Sequence, residues 1–206
     1  VIKEVHYWLS LPYFVIKEGL SVLNMWSFTR FSINKLQRSK ECEIRLGKNL
    51  NIEPGVVFDL RGGGSLRIGD NVKIQANSTV RVFHGGSLVI GDNVNIGRFN
   101  GISAWHKIIV HDIAILAPYV ILSDHQHRFD LKSPVDFVSC DQFEPIEIGK
   151  GVWLGIRVCV QNGVKIGDYS VVGANAVVTK DIPSGCVAGG VPARVLRRLD
   201  EKEEKV

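Results

Sequence analysis

The sequence predicts an all-β solenoid, and three observations lead there. Aliphatic residues recur at every sixth position, a ten-residue stretch repeats 22 positions later, and many of the 21 glycines fall at hexad intervals. With the aliphatic residue first, Ile68-Gly69-Asp70-Asn71-Val72-Lys73 leads to Ile74 and then Val80. Ile90 leads to Ile96 and Ile102, and Val110 to Leu116 and Leu122. Toward the C-terminus the frame runs unbroken through Ile148, Leu154, Val160, Ile166, Val172 and Val178, and a fainter first turn uses Leu46, Ile52 and Phe58. The self-match sets Gly63–Val72 against Gly85–Val94, so three hexads and an insertion make one coil. Each hexad is a short strand plus a turn. Its aliphatic residue points inward, while Gly, Asn and Asp supply the unusual dihedrals of the corners. Neighbouring coils are expected about 4.8 Å apart, the spacing of paired strands.

The 206 residues are enough for one domain, and no long polar linker divides them. Three segments are expected: a helical, capping stretch over 1–45, the repeat over 46–183, and a turn and short helix over 184–206. Residues 13–40 read as amphipathic through Phe14, Val15, Ile16, Leu20, Leu23 and Trp26, with Arg30, Lys35, Arg38 and Lys40 following. A helix there would cap the open first coil or, as a second reading, touch a membrane surface near a lipid-linked substrate. Arg194 to Lys205 reads as a charged helix.

Net charge is +4, too mild to argue for nucleic acid but suited to an anionic cofactor. The four cysteines, at 42, 140, 159 and 186, form no CxxC and no secreted framework, which points to free thiols in a reducing compartment. The apolar stretches His6–Ile16 and Gly19–Thr29 are split by Lys17 and Glu18 and are each too short to span a bilayer. There is no signal-peptide pattern, so a cytoplasmic protein is expected, possible contact with the inner face of a membrane included.

Insertions fall on one edge of the expected prism. Four extra residues precede Ile68, four precede Ile90, two precede Val110, and about twenty precede Ile148. Four of the six histidines lie there. His84 and His106 hold the same place in successive coils, and His125 and His127 open an extruded loop over 123–145. A long loop thrown out of a regular scaffold is where function is usually placed.

The run Ser123-Asp124-His125-Gln126-His127 is followed by Ile148-Gly149-Lys150-Gly151-Val152-Trp153-Leu154-Gly155. Gly173-Ala174 then leads to Val178-Thr179-Lys180-Asp181-Ile182-Pro183, and Gly189-Gly190-Val191-Pro192-Ala193-Arg194 follows. Taken in that order, residues 45 to 200 resemble the maltose and galactoside acetyltransferase group, and within it the branch that O-acetylates lipopolysaccharide and other surface polysaccharides. The resemblance implies a left-handed parallel β-helix, a homotrimer with active sites between subunits, and acetyl-CoA and a carbohydrate as the substrates. It also implies roles for residues. The catalytic histidine lies nine positions beyond the proline of an Ala-Pro-x-Val turn, which makes Ala117-Pro118-Tyr119-Val120 point to His127, with His125 as a partner. Trp153 falls beside the acetyl group, Gly155 and Ala174 at the pantetheine arm, and Thr179, Lys180, Arg194 and Arg197 at the cofactor's phosphates. Asn100 and Asp124 are expected at the acceptor. One departure is Ile156, where a serine often follows the tryptophan turn.

The chemistry asks for such residues. A sugar hydroxyl is a poor nucleophile at neutral pH, and an imidazole takes its proton as it attacks a thioester. Backbone N–H groups at tight turns suit the oxyanion that develops, and an apolar wall such as Trp153 keeps water out. Cations such as Lys180, Arg194, Arg197 and Arg198 suit a pyrophosphate. No metal is expected. Two other readings fit the same residues. His106 and His111, with His84 or His127, have a spacing suited to zinc shared across a trimer, as in β-helical carbonic anhydrases. A scaffold or sugar-binding module would have no need of acetyl-CoA.

Overall fold

The computed structural model describes residues 42–127 and 140–199. They form an all-β, parallel solenoid with three faces. Face one stacks the strands Glu43–Leu46, Ser65–Ile68, Ser87–Ile90, Lys107–Val110, Ile146–Ile148 and Lys165–Ile166. Face two stacks Asn51–Ile52, Lys73–Ile74, Asn95–Ile96, Ile115–Leu116, Trp153–Leu154 and Val171–Val172, and then the closing pair Cys186–Gly190 and Ala193–Arg198. Face three stacks Val57–Leu60, Thr79–Val82, Gly101–Ala104, Ile121–Ser123, Cys159–Val160 and Val177–Val178.

The hexad frame is the register. Ile68 pairs with Ile90, Val110 with Ile148 and Ile148 with Ile166 on face one. Leu116 pairs with Leu154 on face two, and Leu122 with Val160 on face three. These aliphatic residues are all buried, so each inward column is a continuous apolar stack through the prism. A slip of one residue would turn every one of them to solvent, which is why the register is strongly specified.

Corners explain the polar residues of the repeat. Where face one turns into face two, the Asp70, Asp92 and Asp112 carboxylates accept the backbone N–H of Lys48, Asp70 and Asp92 in the neighbouring coil. Asn71 and Asn93 adopt φ of 57° there, a conformation asparagine tolerates, and their side chains form a ladder with Asn49. Each coil therefore satisfies the turn of the one before it.

Two sequence expectations lie outside the described residues: the N-terminal helical segment, and positions 128–139 of the extruded loop. A third is corrected. The described part of the C-terminal segment is not a helix. Ala193–Arg198 is a strand, antiparallel to Cys186–Gly190, with Cys186 opposite Arg198 and Gly190 opposite Ala193. The reason is tertiary. Val187 and Ala188 pair with Val171 and Val172 on one side, and the returning strand satisfies the backbone groups on the other. Gly190, at φ 98°, and Pro192 make the reversal, and the charged sequence that reads as helical has no such edge to compete with when taken alone. Among the described side chains, Cys42, Cys159 and Cys186 are free thiols. No helix among the described residues is long and apolar enough to cross a membrane.

Candidate active site

The extruded loop leaves the prism where face three turns toward face one. Its root is an antiparallel hairpin of His125–His127 with Cys140–Phe143. His125 lies opposite Phe143 and Gln126 opposite Gln142. Both histidines are half-buried. Their rings stand 5.8 Å apart, nearly perpendicular at 87°.

His125 is held from inside the prism. Its Nδ1 lies 3.2 Å from Ser123 Oγ and 3.6 Å from Asp124 Oδ1. Asp124 itself is fully buried, and its two carboxylate oxygens accept the backbone N–H groups of Trp105 (2.8 Å) and His106 (2.9 Å). A carboxylate with no exposed surface ties the loop root to the coil below it. Asn100 is an interior residue as well. It is buried at the corner between faces two and three, where Oδ1 accepts the Val120 N–H at 2.6 Å. Its neighbour Ser78 bonds its backbone N–H from the coil before, so this is an interior polar ladder.

The rings around the loop root include residues that the sequence reading passed over. The indole of Trp105 stacks on the His125 imidazole, 4.6 Å between centroids and 26° between planes. His84 covers it at 4.6 Å, Phe83 meets it edge-on at 5.7 Å, and Phe143 lies parallel at 6.5 Å. The signal was present in the repeat: the 22-residue offset that relates His84 to His106 also relates Phe83 to Trp105, one position earlier. The exposed His106 lies at one end of the strand Lys107–Val110 and His111 at the other. His111 Nε2 pairs with Glu147 Oε1 at 3.0 Å. A hydrogen bond from Lys165 chiefly, and His111 next, hold the Glu147 carboxyl below its usual range against a partly opposing loss of hydration. The two histidines of the zinc reading thus do not meet within one chain. Among the described residues no group of three or more His, Cys, Asp or Glu stands placed to hold a metal ion.

The residues expected at the cofactor divide between edges. Thr179 and Lys180 follow Val177–Val178 on face three and so share the edge of His127, two coils on and roughly 10 Å away. Trp153 opens face two, across face one from that edge, with 51% of its surface exposed. Gly155 and Ala174 stand in successive corners between faces two and three. A Cβ on Gly155 would lie 2.7 Å from the Ala174 nitrogen, so no larger residue fits that turn unchanged. Arg194 and Arg197 lie on the closing strand of face two.

Residues 145–180 match the family described as bacterial transferase hexapeptide (six repeats). The chain is 40% identical over 101 residues to the galactoside O-acetyltransferase of Escherichia coli (strain K12), covering 48% of each protein. It thus spans about half the length of the curated relatives it matches. A galactoside acetyltransferase solved in complex with coenzyme A aligns at 30% identity over 80% of this chain and 69% of that one, with a TM-score of 0.57. The hexapeptide-repeat acetyltransferase VCA0836 from Vibrio cholerae aligns at 30% identity over 76% of this chain and 74% of that one, with a TM-score of 0.50. An N-acyltransferase from Bacillus cereus, AntD, has the same fold at 20% identity and a TM-score of 0.69, over 82% of this chain and 90% of that one. With a three-faced solenoid in hexad register and these relatives, the chain belongs to the hexapeptide-repeat acetyltransferases.

Proposed function

We propose that this protein transfers an acetyl group from acetyl-CoA to a sugar hydroxyl, with His127 as general base. One observation carries the reading: two histidines emerge side by side at the root of the hairpin that interrupts the regular prism, one of them tied to a buried carboxylate. The relatives named above include galactoside acetyltransferases, which supports a sugar as acceptor. On the resemblance of the loop, the acceptor we put first is a precursor of a surface polysaccharide or lipopolysaccharide.

His127 takes the hydroxyl proton as the sugar oxygen bonds to the acetyl carbon. The carbon–sulfur bond breaks, and the proton passes from the imidazole to the departing thiolate. Lys180, Arg194 and Arg197 supply cations for the phosphates, and Thr179 a hydroxyl beside Lys180. On the resemblance, the pantetheine arm runs past the corners at Gly155 and Ala174, where Gly155 packs directly against the backbone of the next coil. Trp153 is the apolar wall that excludes water from the thioester.

This division of residues needs a neighbour. Face one separates Trp153 from His127, and six residues of near-extended chain span roughly 15–20 Å, too far for one thioester to touch both. A homotrimer brings the second edge of one chain to the histidine edge of the next and makes three equivalent clefts. The exposed Ile113, Ile115, Trp153 and Tyr169 form an apolar run suited to that contact.

The test is a screen of sugars and polysaccharide precursors with acetyl-CoA, following free CoA and the acetylated product together. Release of CoA that requires a sugar, with the acetyl group found on its oxygen, is expected. A protein that neither binds acetyl-CoA nor releases CoA with any sugar would be a scaffold or sugar-binding module instead.

A further inference from the structure

A column of flat side chains climbs the edge that carries the loop. Arg61, Phe83, Trp105 and His125 take the equivalent place in four successive coils, each following a face-three strand in register with the next. The Arg61 guanidinium lies 5.6 Å from the Phe83 ring, Phe83 lies 5.7 Å from Trp105, and Trp105 lies 4.6 Å from His125. A corner that only had to turn the chain would take Gly, Asn or Asp, as the edge between faces one and two does. Three rings and a guanidinium make a stiff column instead, and the column ends on an imidazole.

Trp105 is the member that meets the loop twice. Its indole covers one face of His125, and its backbone N–H anchors Asp124. The hydroxyl of Ser123 donates to the His125 carbonyl at 3.4 Å and so offers a lone pair to Nδ1 at 3.2 Å. This network favours the tautomer with its proton on Nδ1, also the side of the Asp124 carboxylate, and leaves Nε2 as an acceptor. Stack, hydroxyl and carboxylate together fix both the plane and the polarity of the ring.

We propose that Trp105 is a positioning residue, which fixes the His125 ring so that its unprotonated nitrogen holds and orients His127. The proposal rests on His127 being the base of the reaction above. Trp105 acts through His125, in the way that an orienting group sets the ring of a catalytic histidine.

The experiment compares Trp105→Leu and Trp105→Phe in the full chain, with specifically labelled histidine for NMR. Loss of the indole ring current should move the His125 imidazole signals in Trp105→Leu, and Trp105→Phe should keep them close to wild type. Trp105→Leu should lower kcat about tenfold, because a small misplacement of a reacting group is costly. Acceptor KM and CoA affinity should stay within about twofold, since no binding contact is lost. Trp105→Phe should recover most of the rate. His125 signals, assigned by their loss in His125→Gln and so told apart from those of His84, that do not move in Trp105→Leu would overturn the stack. Signals that move while kcat stays unchanged would overturn the positioning role, and so would a rise in acceptor KM at constant kcat, which belongs to a residue touching the sugar. A wild-type protein inactive on every sugar would overturn the reaction, while the NMR comparison would still decide the stack.

Discussion

His127→Ala is expected to lower kcat by about 10²-fold or more while leaving CoA affinity nearly unchanged. The base acts only as the hydroxyl loses its proton, so its removal weakens the transition state and not the binding of the cofactor. His125→Ala should do less, because it removes the group that orients the base and not the base itself. Steady-state kinetics with the sugar identified in the screen, together with CoA titration of each variant, check both statements. A dead His125→Ala beside a normal His127→Ala would exchange the two roles. The wild-type geometry makes that a sharp test, since His125 is the ring tied directly to Ser123 and Asp124.

Asp124→Ala should be the most destabilising single change at the loop root. The carboxylate is fully buried and accepts two backbone N–H groups from the coil below. Alanine removes the shared acceptor of both donors, at a cost of roughly 2–4 kcal/mol. For a chain of this size that is a fall in melting temperature of roughly 5–15 °C. Asp124→Asn should cost less, because its amide oxygen still accepts one of the two. Thermal unfolding of the three proteins at one concentration checks the order. A melting temperature for Asp124→Ala equal to wild type would mean that the two N–H groups find other partners.

Most of the fold was legible because a solenoid repeats its own evidence. Ile68, Ile90 and Val110 announce one face, and the structure pairs them in that order. The insertions preceding Ile68, Ile90, Val110 and Ile148 mark the edge that carries the loop for the same reason: each is a departure from a strict rule. Less was legible where contacts cross coils without leaving a periodic trace. Asp124 looked like a loop acid with a site for substrate, and only its burial against Trp105 and His106 shows its anchoring task. Asn100 sits in a motif position but points into the prism. Trp105 has no motif, and its importance comes from what lies 22 residues before it and 20 after. The strand Ala193–Arg198 reads as a helix because charge and length suit one, while the edge that captures it, Cys186–Gly190, is itself held in the sheet by Val171 and Val172 of the coil before, a contact with no trace in the local sequence.

The claim that the site is shared between chains is tested most directly by mixed oligomers. His127→Ala chains and Trp153→Ala chains are each expected to assemble as trimers with little activity. Trimers formed by unfolding and refolding them together at equal amounts should regain about a quarter of the wild-type rate, because that share of clefts joins an intact histidine edge to an intact tryptophan edge. Light scattering confirms the trimer, and mass spectrometry confirms the mixing. An active monomer, or mixed trimers with no more activity than their parents, would contradict the account.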